Sequence, residues 1–129
     1  FRTSADGEKL VAAVRSAAAR ASDSVPGTSI ALQGGIVRLP LERTEESLRL
    51  CAEYGHCARA HGLGADEASL IGGGSDASTS SGLGIPSIDG LGPRGSGFHT
   101  KDEQIEVMSL VPKAQALARF LAGRVVRAG

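Results

Sequence analysis

Eleven of the chain's 18 glycines fall between Gly62 and Gly97. Glycine loses more conformational freedom on folding than any other residue, and it weakens helix and strand interiors alike. That stretch therefore reads as short elements joined by loops. The flanks on either side are Ala-rich and helical in pattern. No repeat at solenoid periods interrupts this arrangement.

Length and composition bound the rest. At 129 residues the chain is one domain's worth. It is 41% hydrophobic, enough to bury a core and to exclude wholesale disorder. Lys and Arg together equal Asp and Glu, 14 each. Neutrality argues against a nucleic-acid partner, which normally meets a basic patch. It also argues against an acidic solvating tail. No apolar run approaches a membrane span, so no membrane partner is expected. Two cysteines make no disulfide scaffold and lean towards the cytoplasm. The chain opens on Phe1 without an initiator Met and without a signal-peptide pattern. Either something ahead of Phe1 was removed or the chain is a piece of a longer protein.

Periodicity places the elements. Leu10, Val11, Val14, Ala17, Ala18 and Ala21 recur at helical spacing and predict a helix over 6–21, capped by Ser4 or Asp6. Pro26-Gly27 ends it. Short strands are expected at 28–32, 68–71 and 85–88, and a short extended stretch at 36–39 before Pro40. A second helix is expected over 44–61, with Glu45 and Glu46 suiting its dipole and Gly62-Leu63-Gly64 stopping it. A brief helix is expected over 77–81. The last helix, over 109–126, is expected to bury Leu110, Ala114, Leu117, Ala118, Leu121 and Val125. Helices and strands in alternation give a fold of the α/β or α+β class.

Several residues could carry chemistry. Cys51 and Cys57 are six apart on one helix, a spacing that suits no common zinc motif, and read as small hydrophobes. His56 and His61 are five apart and read as exposed helix residues. His99 lies on a loop, where backbone can bring an imidazole to a site. Gly72-Gly73-Gly74-Ser75-Asp76 follows an expected strand; its N–H groups could cradle a carboxylate, or it could be only a tight turn. Arg38, among apolar neighbours, is either a paired structural charge or an anion clamp. Gly90 to Gly95 matches G-x-G-x-x-G formally, but Pro93 sits inside it and no helix follows, so a nucleotide site is not supported.

Three motifs then stand in order. They are Gly72-Gly73-Gly74-Ser75-Asp76-Ala77, then Gly84-Ile85-Pro86-Ser87-Ile88-Asp89-Gly90-Leu91-Gly92, then Gly97-Phe98-His99-Thr100, followed by an apolar helix. The order resembles the C-terminal part of the zinc amidohydrolase and exopeptidase family: aminoacylases, acetylornithine deacetylases, succinyl-diaminopimelate desuccinylases and glutamate carboxypeptidases. The glutamate carboxypeptidase branch is the most similar. Phe1-Arg2-Thr3, Val25-Pro26-Gly27-Thr28 and Val37-Arg38-Leu39-Pro40 fit other segments of that pattern, as does the interval of 61 positions from Arg38 to His99.

The resemblance implies a two-part architecture. Residues 1–38 would be the end of an α+β lid that usually dimerises, so a homodimer is expected. Residues 39–129 would be the C-terminal part of a zinc-exopeptidase-like α/β catalytic domain. It implies a zinc hydrolase acting on peptides or N-acyl amino acids with a free carboxylate. His99 resembles the last zinc ligand, Arg38 the carboxylate clamp, and Gly73, Gly74 and Ser75 the loop that seats the substrate. Arg2 resembles a family arginine at the end of a lid strand. Two zinc ions serve each site in the family, and this chain would supply one ligand. The H-x-D motif, the bridging Asp, the Glu-Glu pair and the further acid would belong upstream of Phe1, in the rest of the same protein. The chain alone is therefore expected to be inactive. A non-catalytic fragment or relic serving as a dimerisation or interaction module is the alternative. Without upstream strands, open sheet edges would favour marginal stability or association.

Overall fold

The computed structural model describes residues 1–69 and 72–128. Helices occupy half the chain: α1 (Ser4–Ser24), α2 (Glu45–Arg59), α3 (Ala77–Gly82) and α4 (Leu110–Ala128). The sheet is one antiparallel pair, β1 (Gly95–Ser96) with β2 (Gln104–Ile105). The fold is thus mixed but helix-rich. The chain divides into two compact units. The first is Phe1–Glu42 with Gly73–Ser87; the second is Arg43–Gly72 with Ile88–Gly129.

The first unit is built on α1. Thr3, rather than Ser4 or Asp6, caps it: its hydroxyl accepts the Asp6 N–H at 3.1 Å. A second carboxylate helps. Glu42 accepts from the backbone N–H of Ser4 at 2.6 Å and from its hydroxyl at 2.7 Å. A negative group at a helix N-terminus meets both the free N–H groups and the positive end of the dipole. Phe1 and Ile36 close over Gly7, the helix's one buried residue. Beyond that turn α1 is largely solvated, with Leu10 and Val14 exposed.

The second unit holds the core. Thr44 and Ser47 form a reciprocal capping box at the start of α2. Its end is a paired-bond stop. The Leu63 N–H reaches the Ala58 carbonyl at 3.1 Å, and the Gly62 N–H reaches the Arg59 carbonyl at 3.1 Å. Gly62 sits at φ 70°, the left-handed conformation this motif requires. Leu63 is thereby turned back onto Ala58, and both belong to the core. That core is Tyr54, Cys57, Ala58 and Leu63 with Ala116 and Phe120 of α4. Tyr54 meets Phe120 edge to face, centroids 5.9 Å apart at 82°. The Arg124 guanidinium covers the Phe120 ring at 5.5 Å and bonds Glu53 at 2.6 Å.

Two of the three expected strands, 28–32 and 85–88, do not form as such. Residues 28–32, 36–39 and 85–88 carry no ladder partner among the described residues; Ala68 and Ser69 are irregular, and Leu70 and Ile71 lie outside the described residues. A strand exists only where a neighbour takes its N–H and C=O groups. β-propensity marks a residue that fits a half-buried pleated surface, and here that surface is absent. Ile30, Leu32 and Ile85 are exposed, and Val37 is 97% exposed. Ile88 instead packs beside Leu91 on the helical core. What the first unit exposes is apolar helix and coil surface.

The apolar face of α4 is also corrected. Leu110, Leu121 and Val125 are exposed, as are Ala114 and Ala118. The buried stripe is Ala116 and Phe120, with Leu117 beside it. The small side chain of Ala116, fully buried beside Phe120, lets α4 lie close on α2. The wider Leu and Val stripe has no counterpart helix in this unit.

Candidate functional site

Two places gather the residues singled out in the sequence, one in each unit. In the first unit, Arg38 lies against the glycine-rich turn. Its Nη1 is 3.7 Å from where a β-carbon on Gly74 would stand. The same nitrogen pairs with Asp76 Oδ1 at 3.3 Å. Gly73 and Gly74 are exposed, and a β-carbon on Gly73 would meet open space. The Arg38 guanidinium thus lies beside Gly74 and Asp76 on an exposed surface. Bidentate guanidinium and backbone N–H groups are the donors that hold a carboxylate.

Ser75 and Asp76 divide their work unexpectedly. Ser75 Oγ accepts the Ala77 N–H at 3.1 Å, and its carbonyl accepts from Ser78 at 3.1 Å. Ser75 therefore starts α3. Asp76 stands at the cap position but already has helical angles, φ −68° and ψ −22°, and its side chain makes no capping bond. Its carboxylate is turned to Arg38 instead. The sequence places Asp76 in the glycine-rich motif without a role, and its pairing with Arg38 shows only in the structure. Ser78, deeper in α3, is buried with its hydroxyl unpartnered.

In the second unit, His99 rides the tip of the β1–β2 hairpin. Gly95 pairs with Ile105 and Ser96 with Gln104. The base is fixed to α4 through one hydroxyl. Buried Ser109 accepts the Arg94 N–H at 2.9 Å and donates to the Glu106 carbonyl at 2.6 Å. An Arg94–Glu106 ion pair at 3.4 Å flanks it. Residues 97–103 form the loop. The Thr100 hydroxyl and N–H both reach the Gly97 carbonyl, at 2.7 and 3.0 Å. The His99 N–H meets Glu103 Oε2 at 3.3 Å.

His99 itself has φ 63°, the one non-glycine residue at positive φ among those described. A left-handed residue with a β-carbon stores strain, and such strain clusters at functional sites. Gly97 before it is at φ 71°, and a β-carbon there would lie 2.7 Å from the Asp102 carbonyl oxygen. The loop is therefore shaped so that only glycine fits at its entry. The side chain of His99 is exposed.

The other candidates stay apart. Cys57 is buried in the core and Cys51 half-buried, both as free thiols. His56 is exposed and His61 half-buried just past α2. Arg2 is exposed beside the start of α1. Among the described residues, no three His, Cys, Asp or Glu side chains gather as a metal-holding group. No described helix is long and apolar enough to cross a membrane. Comparison with protein-family models, curated proteins and solved structures returns no match.

Proposed function

We propose that the chain is the C-terminal segment of a zinc-dependent hydrolase that cleaves the amide bond of peptides or N-acyl amino acids bearing a free carboxylate. The observation that carries this reading is the approach of Arg38 to Gly74 and Asp76, at the glycine-rich turn. Two segments far apart in sequence thus meet, a guanidinium beside an exposed glycine turn. In this reading Arg38 clamps the substrate carboxylate, and Gly73, Gly74 and Ser75 seat it. His99, held at a hairpin tip in a strained conformation, supplies one metal ligand. The other ligands for the two zinc ions and the general base belong to residues outside this chain, and the assembled protein is a homodimer. The isolated chain is inactive.

The test uses the protein that carries this segment together with its upstream residues. His99→Ala should abolish turnover and remove most of one zinc equivalent by elemental analysis. Arg38→Ala should mainly raise KM for carboxylate substrates and leave zinc content unchanged. Full activity in His99→Ala, or an equal loss on substrates without a carboxylate in Arg38→Ala, overturns the assignment. The second reading, a non-catalytic interaction module, is favoured by one observation: the first unit exposes Leu10, Val14, Ile30 and Leu32. An upstream partner that binds the chain without conferring turnover would support it.

A further inference from the structure

We infer that Asp76 acts as an internal stand-in for the ligand carboxylate, holding Arg38 until a substrate displaces it. The inference rests on the reading of Arg38 as a carboxylate clamp and adds how that clamp is occupied at rest. Asp76 stands where a helix cap would be, yet it caps nothing. Ser75 Oγ does that work for the Ala77 N–H. Among the described residues, the one partner of the Asp76 carboxylate is Arg38, at 3.3 Å. The Asp76 side chain is 99% exposed and that of Arg38 54%. An ion pair in such water-filled surroundings is weak, because solvent and salt screen both charges. A single oxygen–nitrogen contact also leaves the second edge of the guanidinium fork unused.

The consequence is competitive. A carboxylate arriving over Gly74 presents two oxygens to the same guanidinium that Asp76 touches with one. Binding then requires the Arg38–Asp76 pair to open. Two negative charges at one guanidinium repel each other, so Asp76 weakens the ligand it resembles. A neutral residue at this position frees Arg38 without removing the clamp. The device selects ligands that offer a full bidentate carboxylate over neutral ones, since only the former replaces what is lost.

The experiment titrates N-acetylalanine, which carries one amide and one carboxylate, into the full chain. Binding is read from the amide resonances of Gly73 and Gly74 and the Nε–H resonance of Arg38. Asp76→Asn should tighten binding by about two- to five-fold, the range an exposed ion pair can hold. Asp76→Ser should tighten it equally, and Asp76→Glu should leave it near the wild-type value. Unchanged or weaker binding in both neutral variants overturns the inference and makes Asp76 a positioning residue or a bystander. Arg38→Ala separates this from the underlying reading. If it abolishes the Gly73 and Gly74 shifts while the Asp76 variants do nothing, the clamp stands and the stand-in falls. If the shifts persist in Arg38→Ala, the clamp itself falls.

Discussion

The two units hold themselves together by different means. The second encloses Tyr54, Cys57, Ala58, Leu63, Ala116 and Phe120. The first has no buried hydrophobic side chain among its described residues; only Gly7 and Ser78 are buried there. It relies on polar ties: Thr3 at the head of α1, Ser4 with Glu42, and Arg38 with Asp76. Apolar burial is roughly proportional to area and indifferent to ionic strength. Exposed ion pairs are worth about 0–1 kcal/mol each and fade with salt. Order in the second unit is therefore intrinsic, whereas order in the first is conditional. The candidate anion site lies in the conditional unit and the candidate metal ligand in the intrinsic one.

The contrast can be broken most forcefully at Phe120. Phe120→Ala removes the edge-to-face partner of Tyr54 and the platform under Arg124. A loss of about 3–5 kcal/mol is expected in the second unit, the usual range for a buried aromatic. Denaturant unfolding followed through α2 and α4 amides should show it, while α1 amides barely respond. Equal response in both units would mean that they share one cooperative core.

Gly97→Ala comes next. The new β-carbon meets the Asp102 carbonyl at 2.7 Å in a left-handed backbone. A penalty of about 1–3 kcal/mol is expected, confined to the hairpin. Cross-strand contacts between Ser96 and Gln104 should disappear while the helical core keeps its chemical shifts. An unperturbed hairpin would show that the loop has another conformation available.

Tyr54→Phe should act in the opposite direction. The Tyr54 hydroxyl is buried without a partner. Leaving it out should stabilise the unit by about 1 kcal/mol. Burial, and after it the neighbouring Cys57, pushes the Tyr54 phenol above its ordinary 10.0. The folded state then keeps the proton longer than the unfolded state. The stability this contributes is complete below about pH 10 and is lost as pH rises towards the folded value. Wild type should weaken in that alkaline range and Tyr54→Phe should weaken less. Identical alkaline profiles would place the phenol in water.

The smallest effect belongs to the first unit. The Ser4 hydroxyl, then the Ser4 N–H, hold the Glu42 carboxyl below its usual 4.5, against a slight opposing push from burial. A lowered folded value contributes stability above about pH 4.5 that is lost as pH falls through it. The first turn of α1 should fray on acidification, and Glu42→Gln should remove the dependence. Amide shifts of Ser4 and Asp6 that ignore pH in the wild type would sink this account.

The helices were legible because each carries its own instructions. Thr44 with Ser47 starts α2, and Gly62 stops it. Such caps act within a turn and need no distant partner. The strands were illegible for the converse reason: Ile30 and Ile85 have the right side chains but, among the described residues, no neighbour to pair with. The side on which α4 packs was misread because its apolar residues run most of the way round, and only the fit against α2 selects Ala116 and Phe120. At the candidate sites, His99 and Arg38 could be found by motif. Asp76 could not, since its significance lies in a failure to cap that only geometry reveals.

The hairpin that presents His99 has just two rungs. Hydrogen exchange from native proteins reports the cheapest opening that frees each amide, and short ladders at loop ends open long before the whole molecule does. The amides of residues 95–105 should therefore trade their protons with solvent on the schedule of the loop, while those facing Phe120 keep the schedule of the core. The imidazole at position 99 keeps time with the former.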